Sequence, residues 1–270
     1  MFEILRRAKR RLFGMASHPP QIVGNSASDT ADACHALHQA GIIPPYEDIL
    51  ADAYRRFLKE GDVAVDIGVN HGFHFDRLTQ HLGPQGRVIG FEPVPDFIAV
   101  VRAKHGSQAD IRAKALSSAP GRSSFLYMKN AIGESGFKER ASMGNRDATP
   151  IDVEVSTLDI ELHDLPHLAF VKIDVEGHEI AVLTGGEALI GRTRPILGVE
   201  YGRPTYSLYG LTADSLYDWA GRAGYRISDL VGHVVTDRKE WLYVCDRSYW
   251  DYLLIPNEKV EYWRHLFLSK

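Results

Sequence analysis

Four short apolar segments, each with an acidic residue near its carboxyl end, constrain most strongly what this chain can fold into. They read VAVDIG, RVIGFEP, LAFVKID and PILGVEYG. Stretches with helical spacing of apolar residues follow the first three of them. Strands that alternate with helices pair in parallel through right-handed crossovers. The sequence therefore predicts a doubly wound, mostly parallel α/β sheet.

Other segments complete this scheme. Four further helices are predicted. They are PPYEDILADAYRRFLKEG, a stretch from residue 177 to about 190, ADSLYDWAGRAG and NEKVEYWRHLFLS. DIRAKALS and RSSFLYM are predicted as strands, and VEVSTLDI as a strand or a strand-to-helix turn. YRISDL and EWLYVCD are predicted as a strand pair that gives the sheet an antiparallel edge. Polar residues 129–150 are predicted as a mobile loop and a candidate lid.

The chain length suits one α/β domain with additions, since it has 270 residues. We assign residues 44–270 to that domain and residues 1–43 to an N-terminal extension. Within the extension, residues 1–13 are predicted as a basic amphipathic helix and residues 14–30 as a linker. The helix either contacts an anionic membrane surface or is a solvated chain end.

Composition excludes several classes of function. The net charge of −4 gives no overall basic surface for nucleic acid. The two cysteines, Cys34 and Cys245, form no zinc or disulfide pattern, which fits a reducing compartment. No apolar run approaches the roughly 20 residues that span a bilayer, and we expect no secretory signal, because no apolar segment follows the N-terminal charges. We expect a cytoplasmic protein, with residues 1–13 as its one candidate contact with the inner face of the membrane.

The turn after the first strand reads VDIGVNHG and carries the first candidate site residues, Asp66, Gly68, Asn70 and Gly72. The glycines allow a sharp turn and a close approach of the backbone to a ligand. The pattern is not Gly-x-Gly-x-x-Gly, which cradles the pyrophosphate of a nicotinamide dinucleotide. An acidic turn suits a cofactor that has no phosphate and carries positive charge, such as S-adenosylmethionine.

The second strand ends on GFEP, which places Glu92 and Pro93 at the tip of the neighbouring strand. An acid at this position accepts hydrogen bonds from ribose hydroxyls in dinucleotide sites. Ligands of such sheets bind beyond the carboxyl ends of the strands. Glu92 is therefore predicted to bind the ribose of the cofactor rather than to be a surface acid.

The order of these motifs resembles the FkbM family of S-adenosylmethionine-dependent methyltransferases. The resemblance covers about Val63 to Tyr201 and includes VAVDIGVNHG, GFEPVP, AKALSSAPG, VSTLDI, FVKIDVEGHEIAVLTGGEALI and RPILGVEY. It implies a Rossmann-like fold of the class I methyltransferase type, S-adenosylmethionine as cofactor, and a small-molecule or glycan acceptor. Val69, His71, His74 and Phe75 depart from the family's usual residues.

The segment VKIDVEGHEI carries the candidate catalytic residues Asp174, Glu176 and His178. In an extended strand, Asp174 and Glu176 face the same way, so both carboxylates can reach the cleft. Methylation of a hydroxyl needs a base, and His178 or Asp174 could take the proton. Glu176 could fix the imidazole tautomer or hold the cofactor. Clustered carboxylates also suit magnesium, but the spacing does not require a metal, and we predict none.

The sequence thus predicts an S-adenosylmethionine-dependent O-methyltransferase acting on a sugar, glycan or secondary metabolite. Two alternatives remain open at this stage. One is a nicotinamide-dependent oxidoreductase, and the other is a non-catalytic module that binds cofactor or partner. N-methylation is a further possibility. After the fourth strand, Tyr201, Tyr206 and Tyr209 are predicted either to line the acceptor site or to pack within their loop.

Overall fold

A seven-stranded sheet forms the centre of the protein in a computed structural model that describes residues 25–106, 109–128, 135–138 and 148–268. Its strand order is β3-β2-β1-β7-β8-β10-β9. The strands are β1 (Val63–Ile67), β2 (Arg87–Phe91), β3 (Ile111–Arg112), β7 (Phe170–Ile173), β8 (Ile196–Glu200), β9 (Tyr225–Ser228) and β10 (Asp251–Pro256). All neighbours pair in parallel except β10, which is antiparallel to β8 and β9. The predicted doubly wound sheet with an antiparallel edge is confirmed.

The helices lie between the strands as the apolar spacing predicts. They are α1 (Ala27–Gln39), α2 (Tyr46–Phe57), α3 (Phe73–Leu82), α4 (Pro95–His105), α5 (Leu158–Glu161), α6 (Glu179–Thr184), α7 (Glu187–Thr193), α8 (Arg203–Tyr206), α9 (Ala213–Ala223), α10 (Arg238–Val244) and α11 (Val260–Leu268). Short 3₁₀ turns follow α8 at Ser207–Tyr209 and precede α11 at Asn257–Lys259. Because parallel strands all point the same way, the turns after β1, β2, β7 and β8 meet at one edge of the sheet.

Alternation along the strands divides the core between the two faces of the sheet. Ala64 of β1 belongs to a hydrophobic cluster with Leu50 and Tyr54 of α2. Val65 belongs to a second cluster, which includes Trp219 of α9. Successive side chains of a strand point to opposite faces. Asp66 therefore shares the face of Ala64 and points toward the side covered by α2 and α3.

A second, three-stranded sheet, which the sequence did not predict, stands beside the carboxyl edge of the first. Its order is β4-β6-β5, with β4 (Ala115–Leu116), β5 (Gly121–Met128) and β6 (Ala148–Ser156). DIRAKALS is thus not one strand but two, β3 and β4, in different sheets. Of the predicted mobile loop, residues 148–150 begin β6 instead, and residues 129–134 and 139–147 lie outside the described residues.

The prediction of a strand at EWLYVCD is wrong, because this segment lies in helix α10. Asp237 caps the helix by accepting a hydrogen bond from the backbone N–H of Glu240 at 2.9 Å. Trp241 and Val244, three residues apart, are buried, whereas Tyr243 between them is exposed. The true partner of β9 is β10, whose apolar segment DYLLIP was not recognised as a strand.

The helix predicted from residue 177 to about 190 is interrupted by a close contact. It forms two helices, α6 and α7, with Gly185 and Gly186 between them. A Cβ atom on Gly185 would lie 2.0 Å from the carbonyl oxygen of Ser117, which follows β4. The break therefore lets the second sheet approach the first.

Helix α1 lies in the segment predicted as an extension and docks on the domain. Ala27, Ala31 and Cys34 are buried in the same cluster as Trp241. The linker prediction is therefore wrong from residue 27 onward, where α1 begins. The helix predicted over residues 1–13 lies outside the described residues. None of the described helices is long and apolar enough to cross a membrane.

We expect removal of residues 1–43 to destabilise the domain, because it uncovers the side of α10 on which α1 packs. The loss should be at least about 2 kcal/mol, or roughly 4 to 8 °C in melting temperature. Thermal unfolding followed by circular dichroism measures it. A chain lacking only residues 1–24 is the matched control. Equal melting temperatures for the two truncated chains would show that α1 contributes nothing.

Candidate functional site

A cavity of about 620 Å³, part of it open to solvent, lies at the carboxyl edge of the large sheet. Its floor consists of the turns after β1, β2 and β7, and its wall is the second sheet. Six of the nine predicted site residues line it: Gly68, Asn70, Glu92, Pro93, Asp174 and Glu176. The other three, Asp66, Gly72 and His178, lie next to this cavity and do not line it.

The turn after β1 is shaped by how closely it approaches β7. Gly68 has φ +80°, and a Cβ atom there would lie 1.8 Å from the carbonyl oxygen of Asp174. Asn70 also has a left-handed backbone, with φ 52°. Gly72, with φ +85°, caps the start of α3. The glycines predicted from the sequence are therefore required for the backbone path of this turn.

Glu92 is fixed at the tip of β2 with its carboxylate on the cavity. One carboxylate oxygen accepts the backbone N–H of Asn70 at 2.8 Å, and the other accepts that of Val94 at 2.8 Å. The residue is 4% exposed. Burial raises the pKa of Glu92 to about 7, against the lowering effect of the two N–H donors. Its remaining lone pairs can accept hydrogen bonds from hydroxyl groups of a ligand.

The turn after β7 brings Asp174 and Glu176 to the opposite side of the cavity floor. Glu176 has a left-handed backbone with φ 61°, and Gly177 follows with φ +100°. A Cβ atom on Gly177 would lie 2.5 Å from the backbone of Thr205. Such strained conformations persist where the surrounding structure fixes them, and they cluster at functional sites.

Glu179 holds this turn together. One of its carboxylate oxygens accepts the backbone N–H of Gly177 at 2.8 Å and that of Val175 at 3.2 Å. The residue is 1% exposed, and burial raises its pKa to about 7 although these N–H donors oppose the shift. Glu179 therefore has a structural role at the start of α6, as an acid near a helix start often has.

His178 stands behind the turn, between aromatic rings. Its ring lies 4.9 Å from that of Phe137 and 5.1 Å from that of Tyr209, between centroids. Its Nε2 atom is 2.9 Å from the hydroxyl of Ser117. Burial, with a smaller effect of Lys138, lowers the pKa of His178 to about 4. The imidazole is therefore neutral at physiological pH.

Asp66 belongs to a buried group of charges under the cavity floor. It is the register partner of Lys172, whose ammonium donates to Asp174 at 3.0 Å. Lys172 and Asp174 are two residues apart, which puts their side chains on one face of the strand. Neither carboxylate oxygen of Asp66 has a hydrogen-bond partner among the described residues, and the residue is 1% exposed. Burial raises the pKa of Asp66, although Lys172 opposes the shift.

The second sheet supplies cavity residues that sequence reasoning missed. Phe125 of β5, Leu116 of β4 and Phe137 line the wall, together with Phe97 of α4. RSSFLYM was recognised as a strand, but nothing local in the sequence shows which sheet a strand joins. Lys114 also lines the cavity, and its ammonium is paired with Glu154 at 2.8 Å and Glu161 at 2.9 Å.

Two of the three tyrosines after β8 pack within their loop, and a place for Tyr209 in the acceptor site stays a prediction. Tyr201 and Tyr206 are buried and stacked at 4.5 Å, and the hydroxyl of Tyr201 donates to the carbonyl of Thr212 at 2.6 Å. These two pack within their loop. Tyr209 instead lies against His178. The residues that the structure describes contain no group of three or more His, Cys, Asp or Glu arranged to hold a metal ion.

We expect Gly68→Ala to disrupt the site, because its Cβ atom would overlap the carbonyl of Asp174. The matched control is Gly106→Ala, which has a similar φ of +79° and no atom within 4 Å of the added Cβ. The control should cost roughly 1 to 2 kcal/mol from backbone strain alone. Gly68→Ala should cost at least about 2 kcal/mol more. Urea unfolding of both variants measures the difference, and equal losses would contradict the close contact.

Comparison with known proteins places the chain in a family. The model of the methyltransferase FkbM domain matches residues 66–227, which is more than half of the chain. No curated protein matches the sequence. Among solved structures, the methyltransferase FkbM from Methylobacillus flagellatus KT has a TM-score of 0.51 and 16% identity. The match covers 93% of this chain and 60% of that protein, so this chain spans less than two thirds of its relative's length.

A second solved structure is the O-methyltransferase from Bacillus cereus in complex with SAH, with 12% identity and a TM-score of 0.42. That match covers 94% of this chain and 98% of the other. At such identities the structural likeness to the Methylobacillus protein shows the fold alone, while the family model matches the motif-bearing part of the sequence. The chain belongs to the FkbM family of methyltransferases.

Proposed function

We propose that the protein is an S-adenosylmethionine-dependent methyltransferase that methylates a hydroxyl group of a sugar, glycan or small secondary metabolite. The observation that carries this proposal is the division of the cavity. One side presents Glu92 to hydroxyl groups, and the other presents the carboxylates of Asp174 and Glu176. A ligand with a ribose at one end and positive charge at the other satisfies both sides.

The chemistry of the cavity fits S-adenosylmethionine better than a nicotinamide dinucleotide. A pyrophosphate needs backbone N–H groups and cations. Here the ammonium of Lys114 is already paired with Glu154 and Glu161, and the floor is acidic. The apolar wall of Leu116, Phe97 and Phe125 suits a flat base. These features argue against the oxidoreductase alternative.

Asp174 is the group best placed to take a proton from the acceptor. When bound, S-adenosylmethionine supplies a methyl group on a positively charged sulfur, which needs no further activation. A hydroxyl acceptor, unlike an amine, must lose its proton as it reacts. Burial alone would raise the pKa of Asp174, but the charge of Lys172 and a hydrogen bond from Glu200 hold it below its usual value. Asp174 is thus ionised at neutral pH and lines the cavity.

His178, the other candidate base, does not line the cavity and is tied to Ser117. Its pKa falls to about 4 because burial disfavours the charged imidazolium that it would become on taking a proton. Its contacts with Phe137 and Tyr209 suit a residue that supports the wall beside the acceptor. A catalytic role for His178 stays a prediction, as does one for Glu176. The acceptor's own identity, contact of residues 1–13 with a membrane, and a cytoplasmic location also stay predictions.

Calorimetric titration with S-adenosylmethionine, S-adenosylhomocysteine, NAD and NADP tests the cofactor. We expect micromolar binding of the first two and none of the dinucleotides. Glu92→Ala should weaken cofactor binding at least about tenfold, since it removes the acceptor for the ribose hydroxyls. Glu258→Gln, a surface carboxylate paired with Arg194, is the control and should bind normally. Binding of a dinucleotide alone would overturn the proposal.

Measurement of kcat tests which residue is the base. The assay uses a methyl-labelled cofactor and an acceptor found by screening pools of glycans and metabolites. Asp174→Asn should lower kcat by about 10² to 10⁴, the usual contribution of a general base. His178→Ala should leave the Kd of the cofactor unchanged and lower kcat less than Asp174→Asn does. If the two variants lose kcat equally, Asp174 is not the sole base. If only His178→Ala loses it, the roles are reversed.

A further inference from the structure

A cluster of carboxyl groups lies behind Asp174, on the side away from the cavity wall. It consists of Glu47 of α2, Asp66 of β1, Asp174 after β7, Glu200 of β8 and Asp251 of β10. Strand register explains the assembly. Asp66 is the partner of Lys172, and Glu200 is the partner of Asp251 in the antiparallel pair. We call this set the carboxyl cluster.

Cations among the described residues balance only part of the carboxyl cluster. Lys172 donates to Asp174, and His74 bonds Glu47 at 2.5 Å. Asp66 is 1% exposed, its two carboxylate oxygens have no hydrogen-bond partner in the described part of the chain, and its charge interactions run to Lys172, His74 and Asp174. An unpartnered buried carboxyl group is costly when ionised, so positive charge that enters the cavity beside Asp174 would stabilise the ionised form of this cluster.

Asp174 and Glu200 are neighbours at the ends of the parallel strands β7 and β8, because each directly follows one residue of the register pair Ile173 and Val199. Two neighbouring carboxyl groups resist being ionised together, and they can hydrogen-bond to each other only if one of them is protonated. Burial raises the pKa of Glu200 well above its usual value, and the negative charge of Asp174 raises it further. Burial, together with Glu47 and Asp174, raises the pKa of Asp251 to about 7. Of Asp174 and Glu200, it is therefore Glu200 that holds a proton more readily, while Asp174 carries the negative charge.

Ionisable groups from every neighbouring element act on this pair. They are Lys172 of β7, Asp66 of β1, Glu92 of β2, Asp251 of β10, Glu47 of α2, His74 of α3 and Glu179 of α6. Most of them are acidic and favour the protonated form of Glu200. Lys172 is the main opposing charge, and it is bonded to Asp174.

On the basis of the proposed function, we propose that Glu200 is a positioning residue that holds a proton beside Asp174 and releases it when the positively charged cofactor binds. A cation in the cavity that Asp174 lines stabilises the doubly ionised pair. Asp174 and Glu200 then both carry a negative charge when the acceptor binds. The acceptor hydroxyl can then transfer its proton to a carboxylate oxygen of Asp174, leaving the electron pair of the O–H bond on the acceptor oxygen.

Release of a proton on binding determines how the affinity for the cofactor changes with pH. Positive charge in the cavity lowers the pKa of the pair, so binding releases a proton at any pH between the bound and the free pKa values. In that range the affinity for S-adenosylmethionine rises with pH, by up to about tenfold per pH unit for one proton. S-adenosylhomocysteine has the same amino group but a neutral sulfur. Its affinity should rise less steeply, and its binding should release fewer protons.

Calorimetry of the full chain at several pH values between 6 and 8.5, in phosphate and in Tris, counts the protons. The two buffers differ in ionisation enthalpy, so the difference in apparent binding enthalpy gives the number released. We expect close to one proton more for S-adenosylmethionine than for S-adenosylhomocysteine. Equal numbers for the two ligands would overturn the proposal, and this comparison needs no variant.

Glu200→Gln tests the assignment to Glu200. A glutamine amide donates to Asp174 as the protonated carboxyl does, but it cannot ionise. The affinity of the variant for S-adenosylmethionine should rise less steeply with pH than that of the unaltered protein, and the extra proton release should disappear. Glu258→Gln, far from the cluster on the Arg194 pair, should behave as the unaltered protein.

The results of these titrations distinguish a failure of this proposal from a failure of the proposed function. If S-adenosylmethionine binds but the extra release persists in Glu200→Gln, Glu200 is not the proton store and the function stands. If S-adenosylmethionine does not bind the unaltered protein at any pH, the proposed function falls, and this proposal falls with it. If the extra proton release is lost in Glu200→Gln and kept in Glu258→Gln, both this proposal and the proposed function are supported.

Discussion

The buried ion pair between Lys172 and Asp174 is the interaction on which the rest of the site depends. Burial alone would lower the pKa of Lys172, but the carboxylates of Asp174 and Asp66 raise it. The lysine stays charged within the sheet for this reason. Its charge keeps Asp174 ionised, and Asp174 in turn is held by its backbone N–H on the carbonyl of Ile67 at 3.1 Å. Loss of Lys172 would leave the carboxyl cluster with almost no positive charge.

The two sheets contribute different parts of the cavity lining. The large sheet delivers polar groups, because the turns after its parallel strands meet at one edge. The small sheet delivers an apolar wall, in which Phe125 and Val153 pack on Phe97 of α4. A ligand with a charged end and a flat apolar end needs both. The glycines at 68 and 185 are the points where the two sheets and the turns come close enough to enclose it.

The position of the candidate site residues at one edge of the sheet could be predicted from the sequence, because the strand ends that carry them are local signals. Asp66, Glu92 and Asp174 each end an apolar strand, and parallel pairing brings such ends together. The carboxyl cluster was not predictable, since Asp251 reaches Glu200 through β10, a strand that runs antiparallel and was overlooked. EWLYVCD shows the reverse error. A continuous apolar run has no period, so the cap at Asp237 rather than hydrophobicity makes it a helix.

Three glutamates near the carboxyl edge of the large sheet have raised pKa values, and their partners distinguish what each can do. Glu92 and Glu179 are each held by two backbone N–H groups, which are fixed in place and favour the ionised form. Their orientation therefore changes little with charge in the cavity. Glu200 instead has another carboxyl group, that of Asp174, as its neighbour across the β7–β8 pair. Two such groups favour a state in which one of them holds a proton, and this state responds to any cation that approaches Asp174. Rigid carboxylates at Glu92 and Glu179 thus shape the site, whereas the charge of the pair at Asp174 and Glu200 is set by what the site binds.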